Sequence, residues 1–144
     1  MKKIKYSLQR VLTLKEKTEE MLRQELSRLL FKRNQHEHVK FYYENALKAE
    51  HQKIREQTQF VNEDRQQAER HTFSIRNHIY HQDILMKEYD TKIEKKRQEI
   101  LENRKEIKTM ERLKERQLDE YNYEVMIDER RTMDEIASRI SFTP

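Results

Sequence analysis

The chain contains no glycine, no cysteine and no tryptophan, and its single proline is the last residue. A chain of 144 residues of average composition would hold about ten glycines and about seven prolines, which supply the positive-φ and fixed-φ positions of tight turns. Without glycine there is no phosphate-cradling loop and no nucleophile elbow, and no HExxH pair of histidines occurs either. Without cysteine there is no disulfide framework, thiol nucleophile or thiolate zinc site. Long apolar runs are missing too. No stretch of about 18 apolar residues occurs, and the first residues do not form a secretion signal, so the expectation is a cytoplasmic protein with no direct membrane insertion.

What is present is charge. Lysine, arginine, aspartate and glutamate make up 40% of the chain and apolar residues 34%, against about 45–50% apolar in an ordinary globular domain. This composition suits either a disordered polyampholyte or long helices that bury a narrow stripe, and periodicity decides between them. Ile79, Met86, Ile93, Ile100 and Ile107 recur at an unbroken spacing of seven, the mark of a helix held against a partner. Their companions include Tyr89 and Met110 but also Gln82, Lys96 and Asn103, so the stripe mixes apolar residues with polar side chains that can bury their stems. After Ile107 the apolar positions Leu113, Leu118, Tyr121, Val125, Ile136 and Ile140 follow at irregular steps, predicting a stutter.

The first half carries a weaker stripe. Leu8, Leu12, Leu22, Leu26, Leu29, Tyr43, Leu47, Ile54 and Val61 share one alternating four-three frame, interrupted by Lys15, Glu19, Arg33, His36, Lys40, Glu50 and Gln57. Two such stripes predict an all-α fold, a long antiparallel two-helix coiled-coil hairpin that is monomeric when free. The expected boundaries are a first helix over about 4–62, a turn over about 62–74, where large apolar residues give out except for Phe73, and a second helix over about 74–139. Thr72 or Ser74 is the expected cap of that second helix. Two arms of similar length follow, with both termini at one end.

Residues 1–40 hold 11 basic and 5 acidic side chains, and Lys2, Lys3, Lys5, Arg10, Lys15 and Lys17 open the chain. Glu16, Glu19 and Glu20 dilute this cluster, which favours an acidic protein partner over nucleic acid. His71, His78 and His81 lie close along the second helix. They lack obvious further ligands on a facing element, so contact residues are expected rather than a metal site. A thin helical protein also has no concave pocket to perturb carboxylates. The expectation is a protein that is not an enzyme and needs no cofactor.

The block from Lys105 to Arg116 (KEIKTMERLKER), the Asp119-Glu120-Tyr121 step with Glu124, and the segment from Glu129 to Arg139 (ERRTMDEIASR) together resemble the FliJ family of bacterial flagellar type III export proteins. Residues 73–82 are similar to the start of the family's second helix through Ile75, Ile79 and Gln82. The first arm matches in length, in polarity and in its opening Tyr6, Leu8, Val11 and Leu12. Met110 and Met133 stand where leucine is commoner, and Arg130-Arg131 replaces a usual Gln-Lys.

The resemblance implies a stalk-like coiled coil that inserts in the hexameric export ATPase, contacts the cytoplasmic region of the membrane export gate and assists the cycling of export chaperones. Such a protein would sit at the cytoplasmic face of the inner membrane, at the flagellar base. On this reading Arg112, Lys114, Arg116, Arg130 and Arg131 are the candidate ATPase contacts. Phe73, Ile75, His78 and Gln82 are the candidate gate contacts, with Phe73 and Ile75 expected as exposed anchors beside the turn. The competing expectations are a structural or tethering coiled coil, the stalk of a virulence-type secretion system, and, more remotely, a nucleic-acid-binding rod.

Overall fold

The computed structural model describes residues 2–57 and 62–141, with side chains from residue 7 onward. Two helices account for nearly all of it: α1, Lys2–Glu56, and α2, Asn62–Ser141. They pack against each other antiparallel as an all-α two-helix hairpin, and the described residues include no strand. α1 ends at Glu56, and α2 begins at Asn62, well before the start near residue 74 that the sequence suggests. Residues 62–74, expected as the turn, are helical.

Two features explain that difference. Asn62 is followed by Glu63 and Asp64 in the first turn of α2, where carboxylates complement the positive end of the helix dipole, and Lys53 and Arg55 close the last turn of α1. Ala68 and Thr72 also sit on the four-three frame that continues through Ile75 and Ile79, and both are half-buried. Small side chains there keep the frame without the bulk that marks a stripe in sequence. Thr72 is no cap; its hydroxyl donates to the Ala68 carbonyl one turn back, at 2.9 Å, within the helix.

The chain divides into two compact units, residues 21–100 and residues 1–20 with 101–144. In the first, pairing of α1 with α2 runs from Glu25 against Lys96, through Arg33 against Asp90 and Lys40 against Asp83, to Glu50 facing His71. One helix advances as the other retreats, residue for residue. The core of this unit is Ile75, Ile93 and Ile100, each at most 6% exposed. Between such layers Arg33, Lys40 and Lys96 lie half-buried in the seam, and each carries its charge out to a carboxylate of the opposite helix, at 2.5, 2.6 and 2.6 Å. His36 Nδ1 donates to Gln82 Oε1 at 2.7 Å, and its ring stacks on Tyr89. The α1 frame stays covered as far as Glu50; Ile54 and Gln57 are exposed, and Val61 lies outside the described residues.

In the second unit Leu12 and Ile107 are the buried apolar residues, at 6% and 8% exposure. Asn103 is buried, and its amide donates to the Lys15 carbonyl of α1 at 2.9 Å. Lys15 pairs with Glu106, Arg104 with Glu19 at 2.6 Å, and Lys114 donates to Gln9 Oε1 at 2.6 Å. The frame does not stutter here. It runs on through Met110, Lys114 and Gln117, all half-buried, while Leu113 and Leu118 lie to the side at 41% and 43% exposure. Polar side chains at those two seam positions hid the continuity from an apolar pattern.

Candidate interaction surfaces

Beyond Gln117 the second helix loses its cover. Gln9 stands level with Lys114; seven residues further along each helix, α1 reaches its first residue, Lys2, and α2 reaches Tyr121. The remaining residues of α2, to Ser141, therefore run past α1 for about twenty residues, or ~30 Å at 1.5 Å per residue. Among them only Ile127 is half-buried; Tyr123, Met133, Ile136 and Ile140 are 48–69% exposed. Large apolar side chains left uncovered along one helix end are a mark of contact surfaces rather than of a packed core.

The five candidate ATPase contacts divide on this geometry. Arg112, Arg116, Arg130 and Arg131 are exposed, the last two on the part of α2 that extends past α1. Lys114 is not available in the same way, being half-buried in the seam and bonded to Gln9.

The candidate gate contacts also divide. Phe73 is 66% exposed, as expected of an anchor. Ile75, expected beside it on the surface, is 5% exposed and belongs to the core, because it falls on the four-three frame once α2 is allowed to begin at Asn62. Gln82 is half-buried and held by His36. His78 is exposed at the seam's edge, its ring stacked 4.7 Å from that of Tyr43, which in turn meets Tyr42 edge-on. Phe73 and His78 thus remain as surface residues.

Sequence reasoning did not single out the outward-facing aromatics Phe31, Phe41, Tyr42 and Tyr80, each above 60% exposed. Their signal was large side chains off the four-three frame, spaced too widely to read as a stripe. The three clustered histidines do not converge: His71 lies 3.9 Å from Glu50, His78 stacks on Tyr43, and His81 is exposed. Among the described residues no group of histidine and carboxylate side chains is arranged to hold a metal ion, and no helix is long and apolar enough to cross a membrane. Of the opening basic cluster, Arg10 and Lys17 are exposed and Lys15 is paired with Glu106; the side chains of Lys2, Lys3 and Lys5 lie outside the described residues.

Two lysines in the seam have raised pKa values. Lys40 is shifted up chiefly by its hydrogen bond to Asp83, with Glu44 adding to it, and Lys96 by its bonds to Glu25 and then Glu99; partial desolvation opposes both shifts. These are structural charges locked between helices. No family model, no curated protein and no solved structure matches this chain.

Proposed function

We propose that this protein is a non-enzymatic, stalk-like component of the flagellar type III protein export apparatus. In that role it binds the export ATPase ring, links it to the membrane export gate and assists export-chaperone cycling at the cytoplasmic face of the inner membrane. One observation carries the reading. The part of the sequence with the family-like blocks, residues 105–139, is also the part of α2 that ends as a single helix extending past α1 and exposing Tyr123, Met133, Ile136 and Ile140 beside Arg130 and Arg131. A lone helix end with apolar and cationic side chains suits insertion between the subunits or into the pore of a ring, where aromatic and arginine anchors contribute most.

The arrangement of the paired region supports the same reading. Seam charges fixed by cross-helix partners resist sliding of one helix over the other, as a part that passes on a position must. In the unit formed by residues 21–100, Phe73 and His78 are the candidate gate contacts that stay on the surface. Of the five candidate ATPase contacts, Arg112, Arg116, Arg130 and Arg131 are the more accessible, and Lys114 is half-buried and bonded to Gln9.

The test is ATP hydrolysis by the purified export ATPase of the same organism, titrated with the full chain and with the variant Arg130→Glu plus Arg131→Glu. The reading expects stimulation by the full chain and loss of most of it in the variant, with helix content unchanged by circular dichroism. Full stimulation by the variant would remove these two arginines from the contact. No binding of the full chain to the ATPase in a pull-down would reject the flagellar reading and leave a tethering coiled coil.

A further inference from the structure

Within the unit formed by residues 21–100, the helices leave an open cleft of about 420 Å³. Arg28 and Lys32 of α1 and Lys92 and Lys95 of α2 line it, with Leu29 as its apolar wall. Two carboxylates, Glu25 and Glu99, also reach the cleft, but both are taken by Lys96, at 2.6 and 3.0 Å. Among the described residues none of the other four cations is in an ion pair. Lys92 has only the face of Tyr89, 5.4 Å from the ring centroid. Four like charges around one cleft repel one another, and a bound anion would relieve that repulsion while releasing condensed counterions.

The shape of the charge limits the ligand. Along α2 the helical stripe through the two cleft lysines reads Glu88, Lys92, Lys95, Glu99, at steps of four, three and four. The cationic stretch between Glu88 and Glu99 is therefore only ~16 Å long at 1.5 Å per residue. On α1 the stretch is bounded by Glu25. An extended polyanion, whether a nucleic acid or an acidic helix, would overrun the cations onto these carboxylates; a compact anion would not. We propose that Arg28, Lys32, Lys92 and Lys95 bind a compact ligand bearing two or more phosphate groups, either a soluble polyphosphate such as a nucleotide or the phosphorylated headgroup of an anionic lipid. The proposal stands independently of the export reading, since it uses no residue of that contact surface.

Two probes separate the sources: sodium tripolyphosphate, titrated calorimetrically into the full chain at about 0.1 M salt, and phosphatidylcholine vesicles with and without ~5 mol% phosphoinositide, tested by co-sedimentation. Saturable binding of one tripolyphosphate per chain is expected, weakened at least about tenfold in Lys92→Gln plus Lys95→Gln. The control variant, Lys48→Gln plus Lys87→Gln, removes two exposed lysines elsewhere in the same unit and should change affinity less than about twofold. Binding of tripolyphosphate supports a soluble ligand; phosphoinositide-dependent sedimentation without it supports a headgroup. The proposal is overturned if neither probe binds saturably, if the control variant loses as much affinity as the cleft variant, or if long polyglutamate binds more tightly than tripolyphosphate.

Discussion

Asn103 offers the sharpest test of how the seam is held. It is the one buried polar residue among the described side chains, 8% exposed between Ile100 and Ile107, and its amide reaches the Lys15 carbonyl at 2.9 Å. That carbonyl lies inside α1 and keeps its own helical bond, so removing the asparagine leaves no orphaned acceptor. Asn103→Leu would forgo one neutral hydrogen bond, about 1 kcal/mol, and bury a leucine in its place, a gain of about 1.5–3 kcal/mol. The expected outcome is stabilisation by about 0.5–2 kcal/mol, which for a chain of this size raises Tm by a few degrees, ~4 °C per kcal/mol. Asn103→Ala forgoes the same bond and fills nothing, and should lower stability by about 1–2 kcal/mol. Urea titration followed by circular dichroism at 222 nm measures both. If Asn103→Leu proves less stable than the parent by about 1 kcal/mol or more, the hydrogen bond outweighs the burial and the reasoning fails.

The core and surface assignments at the start of α2 predict opposite costs for neighbouring residues. Ile75→Ala should destabilise by about 2–3 kcal/mol, while Phe73→Ala should stay within about 0.5 kcal/mol; equal losses by the same titration would place both in the core. The raised pKa values of Lys40 and Lys96 give a pH dependence whose sign follows from linkage. The folded state holds these protons more tightly than the unfolded chain does, so their contribution is complete below the ordinary lysine value of about 10.4 and is lost as pH rises through the shifted values. Tm should therefore fall above about pH 10.4, and the fall should be shallower in Lys40→Met plus Lys96→Met; identical slopes would show that these pairs do not matter.

Much of the seam was legible in the sequence. The heptads of Ile79 to Ile107 and the interrupted frame from Leu8 to Glu50 correspond to covered positions, including the charged ones, because helical spacing alone fixes which side chains share a face. Reading Lys96 or Arg33 as a seam residue required only trusting the frame over hydropathy. The same trust, extended to Ala68, Thr72, Lys114 and Gln117, would have removed both the misplaced turn and the supposed stutter. Those positions were missed because small and polar side chains give no hydropathic signal, although they can pack at a helix interface as long as their neighbours do.

The candidate surfaces were less legible. Composition and periodicity by themselves determined that this protein is helical, thin and built of two paired stripes, since a glycine-free, charge-rich chain with seven-residue recurrences has few other ways to bury its apolar groups. Only the tertiary structure decided where the chain turns, and with it the lengths of the two helices. With α1 ending at Glu56 and α2 beginning at Asn62, the two arms of expected similar length are helices of 55 and 80 residues, so α2 runs past the start of α1 and its final turns stay uncovered. Which cations share a cleft was likewise a tertiary matter. Arg28 and Lys95 are distant in the chain, and only the antiparallel register brings them to the same level.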